Sequence, residues 1–497
     1  MNDDQRLLLE NLARLDSSRM NRRQALRLAA MAAMAVPITA ACGGDQRTRQ
    51  AGPSATPQGA RTAPIDADRP ENAVYPFDEA EKLFKSLEWP ATQVPEPTSK
   101  VTVTMAITAG EDSEVRHAQF AKFFTELHPN IEIKREITPF ADYLTKYMTQ
   151  AAGGSLPDLM YCHYSWAQNF IKHGILIPLD DRIAASAGFG RDNDFTQAAL
   201  SYFTKDGKLY AVPTDSAPKL LWYNKTIFDK AGAKVPDSSW TWERLQTSAK
   251  ELTQGKGATR TFGFAQFPGD PFTDITPIYL RPFGARFLSE DERTVMIDQA
   301  VDVLQPWIDL QLKHNAVLTI ADKQALQNVD PFRSGKAALS VNGLWILQAV
   351  IAQKNATPYE WGLTDLPEGP EGRFAPVVGS SFGITGKSAH PDAAWIVLNA
   401  FLSAAGTRFF MNMPPARLSA FEENLAAIKA PAAATEVAKK AVETYGTADG
   451  VLKGPATPKV LTTTLATWDL VRIGTIPLAE GLKKIKEDVT PILSENA

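Results

Sequence analysis

Cysteine is almost missing from this 497-residue chain, which has only Cys42 and Cys162. Two thiols cannot build a disulfide framework, so the body must be held by packed cores. Histidine is also scarce, at six, with no His-Glu-x-x-His or comparable zinc spacing. No Walker loop or dinucleotide fingerprint occurs, so the usual local signatures of nucleotide hydrolysis and hydride transfer are missing. Neither charge dominates. Of 52 Lys and Arg against 56 Asp and Glu, six basic and four acidic residues fall in 1–41, leaving 46 against 52 beyond. That mildly acidic balance gives no basic face for nucleic acid. The uncharged apolar run from Leu28 to Ala41 falls short of the roughly 20 residues a membrane-crossing helix needs.

That short run sits in an informative context. Arg22 and Arg23 precede it and Ala40-Ala41-Cys42 ends it. A charged segment, a short apolar segment and a small-residue exit describe a cleaved export signal, expected over residues 1–41. Asn21-Arg22-Arg23-Gln24-Ala25-Leu26-Arg27 resembles a twin-arginine signal, with Ala25 where Phe is usual. Ile38-Thr39-Ala40-Ala41-Cys42 resembles a bacterial lipobox, with Thr39 where Leu is usual. The chain is therefore expected outside the cytoplasm, in the periplasm or on the outer face of the cytoplasmic membrane, with Cys42 as lipid anchor. The route, twin-arginine or general secretory, stays open.

From Gly43 to Pro70 there is almost no large apolar side chain. Such a segment buries too little surface to offset its ordering entropy. A flexible linker of that length spans about 30 Å. The predicted tether covers 42–97. Beyond it, about 400 residues exceed what one core accommodates, and two domains are expected.

Within that body strands alternate with helices. Val101–Ile107 is rich in β-branched residues, and apolar positions at helical spacing follow from Val115 to Leu127. Ile131–Ile137 alternates as a second strand, Tyr143–Ala152 reads as a helix, and Leu159–Cys162 as a third strand. This order predicts an α/β sheet that is largely parallel. Ligands in such sheets sit at the carboxyl ends of strands, here Gly110–Ser113 and His163–Trp166.

The same stretch resembles the extracellular solute-binding proteins of the sugar-binding ABC-transporter class. The resemblance runs through His128-Pro129-Asn130, Gly154-Ser155-Leu156-Pro157-Asp158, Gly174-Ile175-Leu176-Ile177-Pro178-Leu179-Asp180 and Asp206-Gly207-Lys208-Leu209-Tyr210. It continues through Tyr223-Asn224-Lys225, Phe332-Arg333-Ser334-Gly335-Lys336, Asn342-Gly343-Leu344-Trp345, Gly379-Ser380-Ser381-Phe382-Gly383 and Pro415-Ala416-Arg417. Each piece is weak alone; their common order is the specific signal.

The resemblance implies a two-lobed periplasmic-binding-protein fold, each lobe a mainly parallel sheet flanked by helices and joined by hinge crossings. The layout of the maltose-binding type suggests an N-terminal lobe of 98–216 plus 375–420 and a C-terminal lobe of 217–374 plus 421–497. Crossings are expected near Pro213–Pro218 and Phe374–Pro376, where a few loop residues absorb closure.

It also implies where ligand would sit. A sugar offers an apolar C–H face to aromatic rings and a hydroxyl rim to polar groups. Trp345 matches the position of a Trp that stacks on sugar in the family. Tyr164 and Trp166 follow the third strand, and Trp222 lies beside a crossing. Glu111 and Asp112 follow the first strand, and Asp215 lies at the cleft edge. Ser380, Ser381 and Phe382 stand at the other crossing. Arg417 would donate a planar fork to ligand or pair with an acidic residue between lobes. Trp242 and Trp395 are expected in cores.

A glycosidase needs two carboxylates about 5–10 Å apart across the bond. Glu111 and Asp112 are adjacent and tend to diverge on an extended loop. No catalysis, cofactor or metal is therefore expected. The implied function is capture of a sugar or related solute by a monomer whose closed form docks on a two-subunit ABC permease. A sensor or adhesion lobe and a non-sugar polar solute remain alternatives.

Overall fold

Valine and threonine alternate at the start of β1 (Val101–Thr108), and Val103, Met105, Ala106 and Ile107 are buried along it. In this computed structural model the residues described are 76–497, apart from 92–93, 109–110, 187–188, 191–193, 257–259, 266–268, 320–321, 323–329, 353–358, 411–413, 451, 453–455 and 496–497. The predicted export signal, Cys42 and the linker to Pro70 lie outside the described residues.

On one side β1 pairs in parallel with β2 (Ile131–Thr138), Val101 facing Ile131. On the other it pairs in parallel with β3 (Leu159–His163), Met105 facing Leu159. Asp158 fixes that register, accepting from the Thr104 amide at 2.8 Å and the Thr104 hydroxyl at 2.7 Å. β4 (Thr204–Lys205) and β5 (Lys208–Leu209) form a separate hairpin. Its turn is Asp206-Gly207, both at positive φ, as a two-residue hairpin turn favours. The chain then passes through β6 (Val212–Pro213) into β7 (Ala217–Asn224).

β7 is the centre of a second sheet. β8 (Phe262–Phe264), β9 (Ala337–Gly343), β10 (Trp361–Thr364) and β11 (Ala375–Val378) follow in the chain. β12 (Ser380–Ile384) returns to the first sheet, and β13 (Gly446–Thr447) closes the second. The sheet orders are β2-β1-β3-β12-β6 and β13-β11-β7-β9-β8, with β10 also on β7. Both sheets contain parallel pairs, as an α/β fold requires. The second is nevertheless antiparallel around β7, whose partners β9, β10 and β11 all run against it. β7 arrives from the other lobe instead of by a helical crossover, and only such a crossover imposes parallel pairing.

Each sheet has its own core. The first holds Val103, Phe120, Phe124, Tyr143, Leu159, Phe382 and Phe401; the second holds Trp222, Tyr279, Trp307, Phe332 and Trp468. Trp242 and Trp395 are buried, in the second and first core respectively. The described helices Thr457–Arg472 and Leu478–Glu495 pack together in the second lobe.

Two sequence expectations are corrected. The predicted tether reaches 97, but Phe77–Ser86 is a helix whose Ala80 and Phe84 are buried in the first core. Trp89 folds back to donate its indole N–H to the Phe84 carbonyl at 3.0 Å, and Asn130 donates to the Pro97 carbonyl at 2.9 Å. Phe77, Leu83, Phe84, Leu87 and Trp89 supply the apolar surface that 43–70 lacks. The return crossing was placed near Phe374–Pro376. In the structure Ala375–Val378 still pairs in the second sheet, and the chain changes sheet at Gly379. The buried run Ala375–Val378 belongs to the strand, and the break is the glycine.

Candidate ligand site between the lobes

Three chain segments link the sheets where they come closest. Thr214–Ser216 runs from β6 to β7, Gly379 joins β11 to β12, and Pro414–Arg417 precedes the return to the second core at Phe421. They are bonded to one another. The Thr214 amide donates to the Ser380 carbonyl at 2.9 Å, the Ser216 amide to Pro414 at 2.9 Å, and the Ala416 amide to Thr214 at 3.1 Å. Gly379 is required here: a Cβ at this position would lie 2.1 Å from the Asp215 carbonyl oxygen.

The first-lobe wall is aromatic. β3 ends at His163, which caps the helix Tyr164–Lys172. Trp166 stacks on Tyr143 with centroids 5.6 Å apart and touches Phe140 at 4.7 Å. Phe140, 48% exposed, extends that wall into the open. His163 holds the Ser165 hydroxyl at 2.8 Å through Nδ1. Burial, and then the charge of Lys219, lower its pKa to about 3, so the imidazole is neutral at ordinary pH.

The second-lobe wall is polar with one aromatic plate. Asp270 caps a ten-residue π-helix, Pro271–Leu280, accepting from the Phe272 and Thr273 amides at 2.8 and 3.0 Å. Pro277 inside it has no N–H to donate and its ring crowds the preceding turn, which the wider i→i+5 winding relieves. That helix carries Thr273 and Asp274. Asp274 forms an ion pair with Lys219, a buried cation on β7. Lys219 lies 5.7 Å from the Trp345 ring centroid. Trp345 is 39% exposed, in the turn Leu344–Ile346 directly after β9. Gly343 lets the ring fold back, because a Cβ there would fall 1.9 Å from it.

The walls touch. Burial raises the pKa of the Tyr164 hydroxyl, the Thr273 side chain and the Asp270 charge act on it from the other wall, and the Lys219 charge acts on His163. Beside the linking segments a chamber of about 200 Å³ is lined by Tyr161, Asp215, Ser380, Phe382, Phe401 and Asn424, among others. Asp215 is buried and its carboxyl is raised above the usual carboxylate range by that burial, against hydrogen bonds from Thr214 and Ser380. Among the described residues no three His, Cys, Asp or Glu side chains converge as a metal-binding group.

The structure thus brings Tyr164, Trp166 and Trp345 to facing walls, and puts Asp215 and Phe382 at the chamber. Glu111 and Asp112 open the helix Glu111–Leu127 after β1; their side chains lie outside the described residues. Three candidates are corrected. Trp222 is fully buried, packs on Phe332 and Trp361, and donates its indole N–H to the Asn342 carbonyl. Ser381 is fully buried on the opposite face of β12 from Ser380 and donates to the Cys162 carbonyl at 3.0 Å. Arg417 is enclosed in the first lobe. It donates to Asp194 at 2.7 Å and to the Leu402 and Phe189 carbonyls, between the rings of Phe189 and Phe195. Sequence reasoning missed Lys219, Phe140, Thr273 and Asp274, and reached His163 only as the start of the break His163–Trp166. Lys219 alone carried a signal, as one cation inside the otherwise uncharged run Ala217–Asn224.

The sequence profile of the bacterial extracellular solute-binding proteins matches residues 108–408. A putative binding protein of Brucella abortus is 25% identical over 292 residues, 56% of this chain and 66% of that protein. An arabinooligosaccharide-binding protein of Halalkalibacterium halodurans is 24% identical over 274 residues, 53% of this chain and 58% of that one. The matched region thus spans less than two thirds of the length of either relative, 66% of the first and 58% of the second. An ABC substrate-binding protein of Listeria monocytogenes, solved in complex with cycloalternan, superposes with a TM-score of 0.69 at 21% identity, covering 80% of this chain and all of that one. The GacH receptor of Streptomyces glaucescens, solved without ligand and with acarbose, superposes at 0.64 with 25% identity, covering 81% of this chain and all of that one.

Proposed function

The chain belongs to the bacterial extracellular solute-binding proteins, and from that premise we propose that it captures a carbohydrate between its lobes and delivers it to an ABC permease. The observation that carries the reading is the pairing of unlike walls. Trp345 offers a flat apolar plate above the Lys219–Asp274 pair, while Trp166, Phe140 and His163 stand on the lobe opposite. Plates suit the C–H faces of a pyranose, and the carboxylate and ammonium suit its hydroxyl rim. The arabinooligosaccharide and acarbose named for similar proteins support the same ligand class.

Capture works by closure. A ligand touching both walls favours the closed form by its differential affinity for the two forms. Export and a lipid anchor at Cys42 belong to this reading on the strength of the Arg22-Arg23 and Ala40-Ala41-Cys42 motifs. A tether of that kind raises the effective concentration of the binder at its permease.

The test is a thermal-shift screen of the full chain against lactose, raffinose, maltotriose, arabinooligosaccharides, polyols, amino acids and oligopeptides. A ligand bound only by the native state adds RT ln(1 + [L]/Kd), about 2.7 kcal/mol at 100 Kd. A carbohydrate shift lost in Trp345→Ala is expected. A shift with amino acids or peptides alone would discard the carbohydrate reading.

A further inference from the structure

Asp215 occupies an unusual place for a carboxylate. It lies in the first linking segment, two residues before β7, and is only 6% exposed. Its Oδ1 accepts from the Ser380 amide, across the second segment, at 3.0 Å and from the Thr214 hydroxyl at 2.8 Å. Its backbone is bridged to Pro415 in the third. Ser380 is held in turn by the Tyr161 hydroxyl at 2.8 Å, which ties the network to β3 and so to the first sheet. Asp215 therefore meets all three connections between the two sheets, the first and second through its side chain and the third through its backbone.

From this geometry we infer that Asp215 is a positioning residue of the hinge: it fixes the spacing of the three linking segments and so sets the balance of open and closed forms without touching ligand. The inference rests on the closure reading above. Rotation between the lobes must be absorbed in a few backbone dihedrals. Those dihedrals lie in segments joined by backbone hydrogen bonds and by one carboxylate oxygen that reaches from the first segment to the Ser380 amide. Losing the acceptor leaves the Ser380 amide buried without its partner and leaves the first and second segments joined there by the Thr214 amide–Ser380 carbonyl bond. Binding then shows a lower apparent affinity, because the competent fraction falls while the contacts in the binding walls are unchanged.

The test measures the lobe separation directly. Full-length chain carrying Cys42→Ser receives spin labels at Glu132→Cys and Lys484→Cys, exposed positions in the first and second lobes; Cys162 is buried. Distance distributions are recorded with no addition and with each sugar of the panel above. Asp215→Ala is expected to broaden the ligand-free distribution and to weaken the apparent affinity at least about fivefold, the lower end of ordinary coupling. Asp215→Asn, which keeps an acceptor at Oδ1, is expected to restore the wild-type width. Tyr161→Phe, a milder change in the same network, is expected to broaden it less. An Asp215→Ala distribution and affinity equal to wild type, while the wild type responds to sugar, overturns the inference. A wild-type separation that no sugar shifts overturns the closure reading instead.

Discussion

The Tyr164 hydroxyl and the Thr273 side chain, one from each wall, are near enough to act on each other although 109 positions of chain and a change of lobe separate them. Tyr164 comes from the first turn of the helix after β3, and Thr273 from the π-helix of the second lobe. Tyr164→Phe keeps the ring packing on Tyr202 and removes only this contact. A net hydrogen bond is worth about 0.5–1.5 kcal/mol, so ligand affinity should fall about 2- to 10-fold. Titration calorimetry with the sugar identified by the screen checks it, and an unchanged Kd would remove the contact from closure.

Gly343 allows a prediction that separates Trp345 from its neighbours. Gly343→Ala puts a methyl where the Trp345 ring now lies, so the ring must swing away. Trp345→Ala and Gly343→Ala should therefore weaken sugar binding alike, by about 1–2 kcal/mol for a lost aromatic contact. If Gly343→Ala binds as wild type, the present ring position is irrelevant to ligand.

Lys219 makes stability depend on alkaline pH. Burial lowers its pKa from 10.5 to about 8, with the charge of Asp270 acting the other way. Below pH 8 both folded and unfolded chains hold the proton, and the full cost of burying the ammonium is present. Between about 8 and 10.5 the unfolded chain holds a proton that the folded chain has released, so this residue's contribution rises with pH. The difference in melting temperature between wild type and Lys219→Met should narrow or invert across that window. A difference that is flat from pH 7.5 to 10.5 would refute the assignment.

Arg417 should matter to stability and not to affinity. Arg417→Met would take the guanidinium from the Leu402 and Phe189 carbonyls and from the Asp194 carboxylate, which would keep only its bonds from Ser419. Breaking a buried pair from one side costs about 3–5 kcal/mol. Urea unfolding should show that loss, with the Kd for sugar unmoved in the surviving native protein. A weakened Kd at unchanged stability would return Arg417 to the binding site.

The N-terminal helix is part of the first core and not a decoration on it. Phe84 packs on Trp89, Phe120, Phe123 and Phe409. Phe84→Ala should cost about 3–5 kcal/mol, read as a lower urea midpoint. A loss below 1 kcal/mol would make the helix separable from the lobe.

The alternation of strands and helices, and the family motifs that punctuate it, made the fold legible from Val101 onward. Within the site, legibility stopped at side-chain direction. Ser380 and Ser381 are neighbours with the same chemistry, yet the strand's two-residue period sends one to the chamber and the other into the core. Trp222 and Lys219 share β7, and only packing decides that the tryptophan goes inward while the lysine meets Asp274. Thr273 and Asp274 sit in a proline-containing stretch whose π-helical winding has no simple periodic signature. Phe77–Trp89 was absorbed into the tether because it adjoins a segment that cannot fold, although its aromatics already marked it as different.

Because Phe77–Ser86 is clasped by the first lobe, whatever precedes it in the chain joins the body there. Any anchor upstream would therefore hold the molecule by one jaw. That jaw would be the stationary one, and the other, built on β7 to β11 and the C-terminal helices, would swing toward it. Attachment and motion would then be divided between the two halves of one polypeptide, and a mutation that loosened the clasp would slacken the whole device without altering either gripping surface.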